Sequence, residues 1–245
     1  MNNRQVISVF LLCTGVAIGQ TSIVAIRTHD TVVIGADSKI NRADHSETWN
    51  SCKIKSANNV FWGYARILAV PSRSFDVSSI AARAMSGTGT TSERVSNFEE
   101  ALVPQLTQIM ADLKKGDPVW FQANAENQSV VEIVFVAFEA HVSYMLLRYF
   151  KARSYGLGVQ IETVRKDCPG AECKDAGYAA IGHHIAVDAE LARNPAIWRK
   201  MGLVKAVQYL VQSEMNSYPD VVGPPIAILE LTAQGPHWIQ KGKCQ

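Results

Sequence analysis

Thr21 follows a stretch that reads as a removable export signal, and Asp37 and Lys53 lie downstream of it. A threonine acquires its own base when cleavage makes it the first residue. The freed α-amino group can take the hydroxyl proton, so no histidine is needed. An α-amine with an ordinary pKa of about 7.7–8.0 is partly neutral near neutral pH. A lysine ammonium nearby lowers that pKa further, and an aspartate keeps the lysine charged and in place. These residue types point to Thr21 as an activated nucleophile that carries its own base. Each also has an ordinary role: threonine is a good strand residue, aspartate caps turns, and lysine is commonly a solvated charge.

The leader reading rests on residues 1–20. Val6 to Ile18 form an apolar run shorter than the roughly 20 residues a membrane-spanning helix needs. Ala17 and Gly19 supply the small residues of a cleavage site after Gly19. The alternative is a buried N-terminal strand. Cleavage after Gly19 leaves Gln20 ahead of Thr21, with the threonine nitrogen still an amide. Catalysis therefore needs cleavage after Gln20, or loss of Gln20 in a second step. Residues 21–245 then form one domain, and the chain is expected to be exported, periplasmic or secreted.

Composition narrows the function classes. Apolar residues make up 47% of the 245, enough for one sizeable core. The net charge of +2 and scattered basic residues give no footprint for nucleic acid. After leader removal no membrane segment is expected, and no cofactor motif is found. Ser86 to Ser92 is glycine-rich but lacks the Gly-Lys-Ser/Thr ending of a phosphate loop. His183, His184 and Asp188 could suggest a metal, but adjacent strand histidines point to opposite faces, so no metal site is assigned. Cys52, Cys168, Cys173 and Cys244 form an even set that favours disulfides in an exported chain. Cys168 and Cys173 flank the turn-prone Pro169-Gly170. A Cys52–Cys244 bridge is possible, though the sequence alone does not pair them.

These side chains need a scaffold. Ser22–Ile26 and Thr31–Ala36 read as a hairpin around His29-Asp30. Lys53–Ile54 and Val60–Tyr64 read as short strands around Asn58-Asn59. Phe75–Met85 has helical spacing. Ser96 and Glu99 form a capping-box signature for a second helix, in which Pro104 implies a kink or a later start. Trp120-Phe121 suggests an exposed recognition loop or a lid packed on the core. Ser129–Phe138 and Val142–Tyr149 read as paired strands, followed by Gly158–Val164 and Tyr178–Ile181. Asn194-Pro195 reads as the start of a helix running to about Met215. A last hairpin spans Ile226–Leu231 and Trp238-Ile239. This order predicts an α+β fold of two face-to-face, largely antiparallel sheets flanked by helices.

Several segments together resemble the proteasome β-type subunits, a family of N-terminal nucleophile hydrolases. They are Thr21 to Ile26, Val32 to Lys39 and Cys52-Lys53-Ile54, with Ala179 to Gly182 and Val222 to Ile228 toward the end. The resemblance implies a four-layer αββα sandwich with Thr21 as nucleophile, Asp37 holding Lys53, and Lys53 steering the proton. It also implies ring assembly, and a homo-oligomer is a possible partner state. The chain departs from the family where His183 follows Gly182 in place of serine. It departs again at Val222, at Pro219 with Asp220 one step away, and at Arg66-Ile67 in place of glycine. His183 and Asp220 are accordingly candidate supporting residues. The expected activity is an exported threonine hydrolase acting on a peptide or other amide substrate. The alternatives are a non-catalytic binding or ring subunit of the same fold, and a small-molecule amidase of the wider class.

Overall fold

The computed structural model describes residues 17–19, 21–41 and 48–244. β1 (Ala17–Gly19) precedes β2 (Ser22–Thr28) and β3 (Val32–Ala36), which form the expected hairpin. β4 (Lys39–Asn41) pairs with β5 (Thr48–Asn50). β6 (Lys55–Ala57) and β7 (Val60–Val70) turn through Asn58 and Asn59, whose φ angles are 46° and 61°. Asparagine tolerates this left-handed conformation better than most residues. Lys53 and Ile54 were expected within the first of these strands; they precede it.

β8 (Phe75–Asp76) ends at Asp76, whose carboxylate accepts from the Ser79 amide at 2.5 Å and caps α1 (Val77–Met85). α2 (Thr91–Gly116) corrects the second helix start. Its capping box is Thr90 with Glu93, and Ser96 lies a turn inside, where its hydroxyl donates to Ser92 O at 3.2 Å. Glu99 is no cap either. It is buried and binds Arg148 and Arg165, while Arg148 also binds Asp167. Pro104 neither starts nor ends the helix, which continues to Gly116. Asp117 then caps α3 (Pro118–Asn124), which buries Phe121, so the Trp120-Phe121 segment packs down.

β9 (Ser129–Glu139), β10 (Val142–Tyr155) and β11 (Gly158–Cys168) form an antiparallel meander, and β12 (Ala176–Gly182) follows. The next helical region departs from expectation. α4 (Ile185–Arg193) comes first, Asn194 is its C-cap, and α5 (Ile197–Met201) and α6 (Leu203–Ser217) follow. Pro195 therefore separates two helices instead of opening one. β13 (Ala227–Thr232) and β14 (Gly235–Gln240) close the chain as a hairpin.

One sheet runs β1-β7-β9-β10-β11, with β6 and β8 also on β7; the other runs β12-β2-β3-β13-β14. The pairings in both sheets are antiparallel, as expected. Three apolar cores separate four layers. Phe98, Leu102 and Leu106 of α2 pack on Trp62, Phe135 and Phe150 of the first sheet. Ile23, Ile34 and Leu229 face Val134, Val136 and Leu147 between the sheets. Val24, Val33 and Ile228 pack on Val207, Leu210 and Val211 of α6. β2 and β3 are therefore covered on both faces, which explains the apolar stretches Ile23 to Ile26 and Val32 to Ala36.

Both cysteine pairs form disulfides. Cys168–Cys173 closes the Pro169-Gly170 turn, with Cα atoms 5.4 Å apart. Cys52–Cys244, at 4.6 Å, ties the C-terminal segment to the residues just before Lys53. Disulfides of this kind fit an oxidising compartment. Among the described residues no helix is long and apolar enough to cross a membrane.

Candidate active site

Asp37 emerges from the end of β3 with no exposed surface. Its Oδ1 accepts from the Ser22 amide at 2.9 Å and from Lys53 Nζ at 2.8 Å. Its Oδ2 accepts from the amides of Lys39, at 3.1 Å, and Gly223, at 3.2 Å. One carboxylate thus joins the start of β2, the segment after β3, the turn before β13 and Lys53. Burial lowers the Lys53 pKa below its ordinary 10.5, and the Asp37 charge and hydrogen bond oppose that shift.

Thr21 lies at the start of β2, almost fully buried. The β2–β12 ladder continues through it, because the His183 amide donates to the Thr21 carbonyl at 2.6 Å. On its other side Ser22 N binds Asp37 Oδ1, and Asp37 N returns a bond to Ser22 O at 3.2 Å. Gly182 makes the close approach possible. Its φ is +81°, and a Cβ there would lie 1.9 Å from Thr21 O. Thr21 and Lys53 share a cavity of about 70 Å³, whose walls include Tyr64, Ile40, Ser51 and Lys55. The three residues singled out from the sequence are thus brought to one place.

The supporting candidates are placed differently. His183 reaches Thr21 through its backbone, while its imidazole Nδ1 lies 2.5 Å from Glu214 Oε1 and its ring meets Tyr218 edge-on. His184 turns away to Asp188, at 2.8 Å. Asp220 offers its backbone carbonyl to Lys39 Nζ at 3.1 Å, beside Pro219 O at 2.7 Å. That anchor holds the 219–223 turn next to Asp37. Val222 is buried under α6. Arg66 adopts φ +77°, the left-handed region that glycine enters freely.

Several contributors escaped sequence reasoning. Glu132, buried on β9, accepts from the Gly182 amide at 2.7 Å and from Arg66 Nε at 3.1 Å. It therefore braces the turn that holds Thr21. Glu214, fully buried on α6, accepts from the amides of Ala186 and Val187 at the start of α4. Tyr64 borders the cavity, and burial raises its hydroxyl pKa. Burial and the Glu132 charge push Tyr149, opposite Glu132 on β10, up to about 12. The available signal was an acidic residue inside an apolar run, as at Glu132 between Val131 and Ile133. Such a charge requires a buried partner.

β1 reaches the site from the leader side. Ile18 pairs with Ile67 and Gly19 with Arg66, so this stretch adds a short strand beside β7 just upstream of Thr21. The rest of the expected leader, residues 1–16 and Gln20, lies outside the described residues.

No protein-family model matches the chain, and no curated protein matches it in sequence.

Proposed function

We propose that the chain is an exported hydrolase whose nucleophile is Thr21, released as the N-terminal residue when residues 1–20 are removed. One observation carries this reading: Thr21 borders the same small cavity as Lys53, and Lys53 is held by fully buried Asp37. The resemblance of these segments to proteasome β-type subunits supports it.

The free Thr21 amine takes the hydroxyl proton as Oγ attacks the substrate carbonyl carbon. The C–N bond breaks, and the same proton passes to the departing amine. Water, with the amine as base, attacks the Thr21 ester and releases the acid. Lys53 supplies positive charge beside the amine and favours its neutral form. Asp37 is a positioning residue that acts through Lys53. The resemblance puts the oxyanion donor near Arg66 and Ile67, and a backbone donor there needs no glycine.

A peptide substrate is favoured over a compact amide by the strand edge beside Thr21. Departure of β1 frees the β7 edge from Arg66 to Ala69, which could hold an extended chain as β1 does. The test is N-terminal sequencing of the secreted protein, combined with turnover of a mixed peptide library. A chain beginning at Thr21 that loses turnover by on the order of 10³-fold or more as Thr21→Ala supports the reading. A mature chain still carrying Gln20, or equal turnover by Thr21→Ala, overturns it.

A further inference from the structure

The Thr21 cavity adjoins a second space. Ser51, Cys52 and Lys55 line the cavity, and the same three residues line a wider groove of about 480 Å³. Asn50, Ser56 and Lys243 complete much of that second space. No aspartate or glutamate stands among the described residues lining either one. Lys53 is matched by Asp37 within the protein. Lys55, which lines both spaces, and Lys243, which lines the second, bring charges of one sign there, together with hydroxyl and amide groups able to donate to an oxygen anion.

Lys243 reaches this place by covalent constraint. It precedes Cys244, whose disulfide partner Cys52 is itself a wall of both spaces. The chain end is thereby held against the segment that carries Lys53 and Lys55. Lys243 itself stays exposed, so the bridge fixes where its charge stands without burying it.

We infer that this groove receives a carboxylate-bearing side chain of the substrate, with Lys55 as the principal charge-selecting residue and Lys243 as its disulfide-held second. The proposal rests on the hydrolase reading for the nucleophile's place, but its recognition chemistry is separable from turnover. An acidic side chain next to the scissile bond enters beside Thr21 and meets Lys55. A longer acidic segment continues toward Lys243. Neutral glutamine, nearly the same shape, loses only the charge interaction, so the glutamate-to-glutamine ratio isolates it. Partly exposed pairs of this kind are screened by salt, and the preference should shrink as ionic strength rises.

Equilibrium binding to the full mature domain carrying Thr21→Ala tests the inference without catalysis. The probes are acetyl-Ala-Ala-Glu-amide and its glutamine counterpart. About 10-fold tighter binding of the glutamate peptide is expected. Lys55→Arg should keep that ratio, Lys55→Met should bring it near one, and Lys55→Glu should reverse it. Lys243→Met and Cys244→Ser should each lower it in part. Equal affinity for the two peptides, no binding of either, or a ratio unmoved by Lys55→Met and Lys55→Glu overturns the inference. Turnover of the same peptides by the Thr21 protein is read separately. Preferential binding without cleavage tells against the hydrolase reading alone, whereas cleavage without preference tells against this one alone.

Discussion

Lys53 Nζ donates to Asp37 Oδ1 at 2.8 Å, and both side chains are withdrawn from water. Such a pair is conditional, because each charge is tolerable only with the other present. Removing the carboxylate strands a buried ammonium and also orphans the amides of Ser22, Lys39 and Gly223. Asp37→Ala should therefore destabilise the fold by about 3–5 kcal/mol. Urea unfolding measures this, and a loss under about 1 kcal/mol would mean that Asp37 is no structural hub. Replacing both members by apolar residues should recover part of the loss while leaving no turnover.

The lowered Lys53 pKa has a definite sign in stability. Burial makes the folded state bind this proton less tightly than the unfolded chain, whose lysine titrates near 10.5. Just below that pH the unfolded state holds more protons, so stability rises with pH. The gain is complete above the unfolded pKa and is lost as pH falls through the folded value. The stability gap between wild type and Lys53→Met should shift in favour of wild type across that alkaline window. A pH-independent gap would contradict the burial effect. Activity should fall on the acid side as the Thr21 amine, ordinarily near about 7.7–8.0, takes up a proton. It should fall again in alkali as Lys53 loses its own.

Gly182 should not tolerate a side chain. Its φ of +81° alone costs an L-residue roughly 1–3 kcal/mol, and the added Cβ would lie 1.9 Å from Thr21 O. Gly182→Ala should lose turnover more sharply than stability, since the clash falls on the carbonyl of Thr21, the proposed nucleophile. Parallel thermal melts and rate measurements separate the two effects. A variant with wild-type rates would show that Thr21 needs no such close anchor.

The two disulfides should differ in weight. Cys52–Cys244 closes a loop with a sequence separation of 192, whereas Cys168–Cys173 spans 5. On the chain-entropy view, losing the long-range bridge costs about 3 kcal/mol more than losing the short one. Paired serine variants compared by urea unfolding check this. Equal losses would place the stabilisation in the folded state instead of the unfolded chain.

The sequence carried the sheet layers well because period and turn chemistry are local. His29-Asp30 and Asn58-Asn59 marked their turns, and the β-rich runs of β2 and β3 marked their hairpin. The grouping of Thr21, Lys53 and Asp37 was legible because a hydroxyl, a cation and a carboxylate recur at offsets that the resemblance made recognisable, and the three do meet at one cavity. Both disulfides lay within the cysteine arithmetic. What failed depended on distant partners. Ser96 and Glu99 have the spacing of a cap, yet Glu99 is claimed by Arg148 and Arg165 from other strands. Asn194-Pro195 looks like a helix start, but the chain had already formed α4, whose N-terminal amides are satisfied by Glu214 from α6. Glu132 braces Gly182 across the sheet interface, and no local pattern announces that contact.

Covalent labelling of the mature protein tests the central claim most directly. A β-lactone electrophile followed by peptide mapping should place a single acyl adduct on Thr21, at the chain's first residue. The adduct should be absent from Thr21→Ala and formed more slowly in Lys53→Met. A mature terminus upstream of Thr21, or a modified site elsewhere with Thr21 untouched, would contradict its role as the nucleophile.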